Sequence, residues 1–355
     1  MSLLNGSRPP GVSRRLLLAV LLVSLLVFGC SKREAPHPTA AAGSSAPEKL
    51  VLRCQGFTGQ VMFPELAEDL GLLAPIKLDY VGNTISGPQD IQTVVTGDID
   101  YGGAFNGAVI KLIAAKAPVK GVIGYYGTDE NTWLGYYVLE DSPIKTARDL
   151  IGKKIAVNTV GAHAEFILRE YLTRNGLSKA EADQVTLIVV PPVTSEQALR
   201  QHQIDVAGLQ NILRDKALSR GGIRKLFSDF DLYGKFTAGS YVFTLAFIRD
   251  NPNTVKKFVS AVAQAIEWAR SHPRDEVIAR YTSIIQRRHR NEDASAIPYW
   301  RSTGIAAAGG AIRASEFQVW LDWLVKSGQL AQGQVRIDDL YTNEFNPFKS
   351  SPSPT

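Results

Sequence analysis

From residue 50 onward, the chain alternates between short apolar runs and longer stretches with a helical period. The short runs have the length and composition of buried strands. They are residues 50–54, 76–81, 151–157, 184–191 and 204–209. Apolar side chains at every third or fourth position predict helices, most clearly at 252–271 and 316–326. Because strand and helix signals alternate along most of the chain, we expect an α/β fold with mainly parallel sheets.

The first thirty residues have the parts of a secretory signal. Arg14 and Arg15 precede an apolar stretch, 16–28, which only Ser24 interrupts. The stretch ends at Gly29-Cys30, so that a small residue precedes a cysteine. This stretch is shorter than the roughly 20 apolar residues that a membrane-spanning helix needs. An ordinary signal peptide or a short membrane anchor with a coincidental cysteine remains the alternative to a lipoprotein signal over 1–29.

Residues 30–48 differ in composition from the segments on either side. They are rich in Ala, Pro, Ser and Gly and have no apolar periodicity. Such a segment cannot bury enough apolar surface to order itself. We therefore expect a flexible tether, followed by a body of about 49–348 that is long enough for two lobes.

Charge and cysteine content exclude several classes of partner and site. Removal of 1–29 lowers the formal net charge from +5 to +2, because Arg8, Arg14 and Arg15 are the charged residues of that segment. The remaining dense basic run, 287–290, is followed by acids, so we expect a solvated helix face rather than a nucleic-acid surface. Cys54, the single cysteine of the body, is predicted to be a buried strand residue; we expect no disulfide, metal site or cofactor.

Glycine- or Asn-containing loops follow the predicted strands and lead into the predicted helices. Free N–H groups at a helix N-terminus bind small anions, and glycine lets the backbone approach a ligand closely. Plain glycine-rich turns with capping side chains are the alternative, and for the aromatic side chains near these loops the alternative is the core. The residues that we predict to bind a ligand are Phe57, Thr58, Asn83, Ser86, Phe105, Asn106, Tyr126, Gly161, Ala162, His163, Gln210 and Asn211.

Several motifs resemble one family in their order and spacing. The run DLIGKKIAV at 149–157, preceded by SPIK at 142–145, resembles the entry to the second lobe of periplasmic substrate-binding proteins of ABC importers. GDIDY at 97–101, SEQAL with IDVA over 195–207, and DLYTNEF at 339–345 resemble further segments of the nitrate, sulfonate, taurine and thiamine-precursor binding group. Residues 27–30, VFGC, resemble a lipobox, with Phe28 in place of a smaller residue.

The resemblance implies a two-lobed periplasmic binding protein type II fold with two crossover segments. Lobe 1 would comprise 49–138 and 241–348, and lobe 2 would comprise 142–237. The function that it implies is capture of a small ligand for an ABC permease, by a monomer held at the periplasmic or cell-surface side of a membrane through an acylated Cys30. Aromatic side chains around the first crossover, Tyr125, Tyr126 and Trp133, favour an organic ligand over a bare inorganic ion.

His163 departs from the family pattern in its neighbours. Related proteins have a Gly-Ser-x-x-His type of sequence here, whereas this chain has Gly161-Ala162-His163 and so lacks the serine hydroxyl. That difference weakens the expectation of a sulfonate or nitrate ligand. His163 is a candidate ligand donor, with a helix cap or a surface position as the alternative.

Enzymatic and signalling functions are the alternatives to transport. The sequence has no Gly-x-Ser-x-Gly, His-Glu-x-x-His or P-loop motif. The fungal-type pyrimidine synthase, an enzyme that resembles this group, carries a cysteine-rich motif that is absent here, so we expect no enzyme. A ligand-sensing subunit of a membrane signalling protein is compatible with the same fold and would need a partner.

Overall fold

The computed structural model describes residues 46–350, which form a mixed α/β fold with three sheets. Two strands pair in parallel: β1 (Val51–Gly56) and β2 (Lys77–Asn83). A three-stranded sheet has the order β3 (Gly102–Phe105), β10 (Phe236–Thr244), β4 (Val119–Thr128). A five-stranded sheet has the order β7 (Thr186–Val189), β6 (Lys154–Val157), β8 (Val206–Gln210), β5 (Leu134–Leu139), β9 (Ile223–Ser228).

The helices pack around these sheets. Those of the first half are α1 (Phe63–Asp69), α2 (Gly87–Thr96), α3 (Asn106–Ala114), α4 (His163–Arg174), α5 (Lys179–Ala182) and α6 (Pro192–Arg200). Those of the second half are α7 (Asn211–Ser219), α8 (Asp229–Tyr233), α9 (Leu245–Asp250), α10 (Pro252–Ser271), α11 (Arg274–Arg287), α12 (Ser315–Lys326) and α13 (Ile337–Leu340). No helix within 46–350 has the length and apolar content to cross a bilayer.

The long helices follow the predicted stripes. α10 begins and ends at the predicted residues, and Val255, Phe258, Val259 and Val262 on its apolar stripe are fully buried. Proline in the first turn of α10 costs no hydrogen bond, because that N–H has no intrahelical acceptor. Burial of this stripe joins α10 to the three-stranded sheet in one core.

The expectation of mainly parallel sheets is wrong for part of the fold. β6 is parallel to both β7 and β8, and β1 is parallel to β2. β10, however, is antiparallel to both β3 and β4, and β5 is antiparallel to both β8 and β9. The reason is that β5 and β10 are the strands that carry the chain between the two larger sheets, and each enters its sheet against the direction of its neighbours.

These two strands lie close to the predicted lobe boundaries. β5 is hydrogen-bonded to β8 and β9, so residues 134–138 belong with the second lobe's sheet rather than the first's. β10 begins at Phe236 in the three-stranded sheet, before the predicted boundary at 237. The division into lobes stays a prediction, and the strand pairing favours its crossovers within 129–133 and 234–235.

Residues 102–105 form strand β3, although their two consecutive glycines are typical of a loop. All four are buried, and Gly103 lies against the Tyr125 ring, where an added side chain would collide with that ring. Glycines at 102 and 103 look like a turn in the sequence, but here they allow close packing under α2 and β4.

The basic run at 287–290 is a solvated face only in part, since Arg287 and His289 are exposed and the other two residues are not. The side chains of Arg288 and Arg290 are only 9% and 14% exposed, and both form ion pairs with Glu65 of α1, at 3.0 and 2.8 Å. Arg288 also pairs with Glu292. Arg287 ends α11, and Arg288 and Arg290 connect the end of that helix to Glu65 of α1 by ion pairs. Cys54 is a free, buried thiol in β1, as predicted.

Candidate functional site

A cavity of about 150 Å³ lies where the strands of the sheets end and five helices begin. Its wall includes Phe57 after β1, Phe105 and Tyr126 from the three-stranded sheet, and Gln210 at the end of β8. A loop from the far end of the chain, 297–303, completes the wall. The cavity therefore lies at the carboxyl ends of several strands, where open α/β sheets bind ligands.

Seven of the twelve predicted ligand residues line this cavity. They are Phe57, Phe105, Tyr126, Ala162, His163, Gln210 and Asn211. The other five do not line it: Thr58, Asn83, Ser86, Asn106 and Gly161.

The five exceptions have other roles or are exposed. Asn106 is fully buried; its Nδ2 donates to the carbonyl of Glu316 at 3.2 Å, and its Oδ1 accepts from Ser240 Oγ at 2.8 Å. Ser86 caps α2, since its hydroxyl accepts from the Gln89 N–H. Thr58 and Asn83 are exposed, and the Gly161 N–H donates to Glu165 at 2.8 Å.

Five helix N-termini contribute residues to the cavity wall: those of α2, α3, α4, α6 and α7. Among the residues that the structure describes, four of these have no side-chain cap. Their N-cap residues are Phe105, Ala162, Pro191 and Gln210. The first N–H groups of a helix have no intrahelical acceptor, and the helix dipole makes this end positive. The wall therefore offers N–H donors that suit an anion without a formal positive charge.

His163 begins α4, and its side chain is only 7% exposed. Its ring is stacked on Phe105, with centroids 4.9 Å apart, and it contacts Tyr126 at 5.6 Å. Its Nε2 lies 3.2 Å from Asp229 Oδ2, within ion-pair distance, yet within residues 46–350 neither ring nitrogen meets hydrogen-bond geometry with a partner. A contact at a poor angle contributes little, however short it is. His163 therefore has unused hydrogen-bonding capacity beside the cavity.

Asp229 is held by groups other than His163. The fully buried carboxylate accepts from Thr128 Oγ1 at 2.6 Å and from the Leu134 N–H at 3.1 Å. These two partners fix the carboxylate close to the imidazole. When both ring nitrogens carry a proton, Nε2–H faces Asp229 and Nδ1–H is left to donate to a ligand.

Asp215 brings a buried charge to the wall, and sequence reasoning missed it. Its carboxylate accepts hydrogen bonds from Arg214, which is fully buried and lies 3.7 Å from the Trp133 ring. Arg301, from the 297–303 loop, reaches the same carboxylate at 3.2 Å and is 56% exposed. Asp215 lies four residues after Asn211 on α7, so both side chains lie on the same face of that helix. This spacing could have indicated Asp215 from the sequence. Trp133, by contrast, packs on Arg214 and does not line the cavity.

The 297–303 loop and Tyr281 were also missed. Tyr281, Tyr299 and Trp300 line the cavity from far along the chain. Ser219 Oγ donates to Tyr299 Oη at 2.8 Å, so the loop touches α7 as well. No motif in the sequence connects this loop to the strand ends; only its aromatic and proline content sets it apart.

Two ionisable groups beside the cavity have strongly shifted pKa values. Burial raises the pKa of Asp90 to about 7, opposed by a hydrogen bond from the Gly103 N–H at 2.7 Å. Burial likewise raises the pKa of the Cys54 thiol to about 12, so that the thiol is protonated at neutral pH. Both residues line a smaller adjoining space of about 10 Å³ rather than the main cavity.

The site's residues do not form a metal centre. Within the described range, no three His, Cys, Asp or Glu side chains are arranged to hold a metal ion. What this wall can do is hold an anion with backbone N–H groups and surround the rest of a ligand with aromatic rings.

Comparison with known proteins identifies the family of the chain. The NMT1/THI5 like family profile matches residues 75–276, more than half of the sequence. The chain belongs to this family. A relative from Escherichia coli strain K12, a putative aliphatic sulfonates-binding protein, is 28% identical over 247 residues, which cover 68% of this chain and 72% of the relative.

Solved structures share the fold of this NMT1/THI5-like chain. The periplasmic aliphatic sulphonate binding protein SsuA of Escherichia coli has a TM-score of 0.61 and 22% identity, covering 82% of this chain and 91% of its own. The nitrate-binding protein NrtA of Synechocystis PCC 6803 has a TM-score of 0.66 and 14% identity, covering 84% and 88%. The desulfurization enzyme DSZB has a TM-score of 0.56 and 17% identity, and the match covers 84% of this chain and 97% of DSZB. These relatives confirm the two-lobed fold and the predicted resemblance to periplasmic binding proteins of ABC importers.

Proposed function

We propose that this protein captures a small organic anion outside the cytoplasm and delivers it to an ABC importer. The observation that carries the proposal is the group of uncapped helix N-termini at one cavity. Three helices present N–H groups there without a side-chain cap, after the N-caps Phe105, Ala162 and Gln210. The fourth, α6, contributes Pro192, which has no N–H. Backbone donors and helix dipoles of this kind bind a compact oxyanion.

The relatives support an anion as the ligand. The Escherichia coli relative is named for aliphatic sulfonates, and the Synechocystis structure for nitrate. Both ligands are oxyanions that hydrogen-bond to N–H donors. In this chain, His163 places two ring nitrogens without a hydrogen-bond partner in residues 46–350 at the start of α4, beside the cavity.

Contacts between the proposed lobes support closure around the ligand. Asn158 Nδ2 donates to the Ile85 carbonyl at 3.0 Å, and Ser86 Oγ donates to Thr159 Oγ1 at 3.2 Å. Near the 297–303 loop, Arg301 pairs with Asp215. These bonds join loops of both lobes beside the cavity. In the proposed mechanism they form when the ligand is enclosed, and the permease recognises the closed form.

The N-terminal segment supports an export signal and a lipid anchor. The signal over 1–29, the acylated Cys30 and residues 30–45 of the predicted tether lie outside the described residues and rest on the sequence alone. The last residue of the predicted tether, Glu48, is held to α10, because its carboxylate accepts from the Asn253 and Thr254 N–H groups. An acyl chain on Cys30 would hold the binding domain close to its permease and raise the effective concentration there.

The proposed function includes no catalysis. A cysteine nucleophile needs a thiolate, and the pKa of Cys54, raised by burial to about 12, leaves the thiol protonated. Cys54 also lies outside the main cavity wall. We therefore propose binding, although the desulfurization enzyme DSZB has the same fold.

Calorimetric titration of the purified protein tests this function. The ligands are nitrate, methanesulfonate, taurine, a benzenesulfonate and neutral glycerol as control, in buffers that contain no sulfonate. We expect at least one organic anion to bind at one-to-one stoichiometry without being consumed, and glycerol not to bind. Failure of every anion to bind would overturn the proposal, and turnover of a ligand would overturn its non-catalytic part.

A further inference from the structure

We infer that the preferred ligand is an aromatic anion, a single six-membered ring that carries one compact oxyanion group such as sulfonate. This inference rests on the proposed function and narrows its ligand class. Four observations on the cavity support it: ring content, ring geometry, volume and the position of the anion donors.

The cavity wall is rich in aromatic side chains. Eight of its 29 residues are Phe, Tyr or Trp, whereas aromatic residues make up 9% of the whole chain. They come from separate segments, from Phe57 near the start of the body to Trp300 in the late loop. A bare inorganic ion uses N–H and O–H donors and would leave these rings in contact with water. The wall therefore suits a ligand with an apolar body.

Pairs of rings in the wall stand at steep angles to each other. Tyr125 and Tyr126 are perpendicular, with centroids 5.0 Å apart and an interplanar angle of 85°. Tyr281 and Trp300 meet at 73° and 5.9 Å. Aromatic rings prefer edge-to-face or offset contacts, and such contacts stabilise a pair beyond the area that it buries. A planar ring can make them with this wall, and a saturated ring cannot.

The cavity volume fits one ring. At about 150 Å³ the cavity has the volume of an apolar cavity that is known to bind benzene, and its wall adds polar side chains such as Gln210 and Asn211. Nitrate would leave most of this space unfilled, and a two-ring body would require the wall to move. Volume thus favours a single-ring ligand.

The donors for the charged group lie beside the aromatic wall. Phe105 is the N-cap of α3, and its ring is stacked on His163, which follows the N-cap of α4. An oxyanion bound at these two helix ends would lie next to Tyr126, which contacts the same imidazole at 5.6 Å. A short molecule with its ring attached directly to the oxyanion satisfies both requirements.

The test compares benzenesulfonate with cyclohexanesulfonate by titration calorimetry. These ligands share the charge, the head group and nearly the same size, so that a difference reports the planar ring. We expect benzenesulfonate to bind at least about tenfold more tightly, the combined effect of two aromatic contacts. Methanesulfonate, with no ring, should bind more weakly than either.

Trp300→Leu provides the matched variant. It should lower the affinity for benzenesulfonate about tenfold and leave that for methanesulfonate within about twofold. Trp268→Leu is the control, since Trp268 is half-buried, stacks on His272 and lies outside the cavity wall. This control should change neither affinity. Unfolding temperatures of both variants establish that they fold.

The possible outcomes separate the two proposals. Equal affinities for benzenesulfonate and cyclohexanesulfonate would overturn the aromatic ligand and leave the anion-binding function standing. An equal loss of affinity for benzenesulfonate and methanesulfonate in Trp300→Leu would have the same consequence. Tighter binding of methanesulfonate or nitrate than of benzenesulfonate does the same. If no anion binds at all, the proposed function itself fails.

Discussion

The imidazole of His163 lies nearly parallel to the ring of Phe105, with an interplanar angle of 15° and 4.9 Å between centroids. The two residues stand at the starts of different helices on the two sides of the cavity, α4 and α3. The stack therefore connects the proposed lobes and positions the imidazole at two helix N-termini. This geometry makes His163 the side chain most directly testable as an anion donor.

His163→Phe should separate packing from hydrogen bonding. Phenylalanine keeps the stack on Phe105, so the free energy of unfolding should change by less than about 1.5 kcal/mol. Loss of the ring donor to a charged ligand should weaken binding about 10- to 100-fold. Calorimetric titration and urea unfolding measure the two effects. An unchanged affinity would remove His163 from the binding site.

A charge placed at the N-cap of α4 should repel the ligand. Ala162→Asp adds a side chain that accepts the free N–H groups of the helix and brings a negative charge to the cavity wall. We expect the affinity for the anion to fall at least about tenfold, while the helix remains folded. Ala162→Asn is the neutral control and should weaken binding less. Equal effects of Asp and Asn would argue against an electrostatic role of this helix end.

The buried carboxyl of Asp90 should make stability depend on pH. Its pKa is raised by burial to about 7 in the folded protein and is near 4 in the unfolded chain. The folded state therefore holds the proton more tightly, and the associated stability is complete below about pH 4 and is lost as the pH rises through 7. Asp90→Asn should unfold at higher urea than the wild type at pH 8 and at similar urea at pH 4.

The size of that effect follows from the same pKa shift. A pKa shift of this extent lowers the free energy of unfolding by on the order of a few kcal/mol between pH 4 and pH 8. Asn can still accept the Gly103 N–H, because its amide oxygen replaces the carboxyl oxygen that now accepts it. If the wild type and Asp90→Asn lose stability in parallel between pH 4 and pH 8, another group causes the pH dependence.

The two arginines that contact Asp215 should differ sharply in their contribution to stability. Arg214 is fully buried and also donates to the Asn131 and Trp133 carbonyls, so Arg214→Met leaves a buried carboxylate with a lost partner. We expect a cost of about 3–5 kcal/mol in the free energy of unfolding. Arg301→Met, at a half-exposed side chain, should cost less than about 1 kcal/mol. Urea unfolding compares them, and similar costs would contradict this interpretation.

Cys30→Ala should abolish membrane attachment if the lipobox is used. The wild type is expected to partition into detergent and to carry an acyl mass, whereas the variant should do neither. Detergent phase partitioning and mass spectrometry of membrane fractions measure the two properties. Equal partitioning of the two proteins would favour an ordinary signal peptide or a membrane anchor that does not use the cysteine.

Sequence patterns predicted the helices and the strand ends better than the pairing of strands. The stripe of α10 gave its boundaries, because one buried face repeats at a helical period. Over half of the ligand residues that we predicted at strand ends line the cavity, since cavities in such folds lie at the carboxyl ends of strands. The antiparallel pairing of β5 and β10 depends on how the chain crosses between the sheets, and local patterns do not record this.

The differences between the predicted ligand residues and the residues that line the cavity have a common physical cause. A polar residue at a strand end can serve a ligand or the core, and the sequence does not distinguish the two. Asn106 joins β10 and α12 by hydrogen bonds, whereas Asn211 lines the cavity. Tyr281 and Trp300 were missed because only tertiary folding brings them to these strand ends.

The aromatic cluster between the sheets has a consequence for how a ligand enters. Trp320 is fully buried and contacts Phe105 and Phe166, and Phe166 also packs on Trp323 at 4.4 Å. Separation of the sheets along this flank would wet two indoles, whereas the flank at Arg301 and Asp215 is held by a half-exposed ion pair. The cleft should thus open asymmetrically. The aromatic flank should stay packed, whereas the flank held by the ion pair should separate first and more easily at high salt.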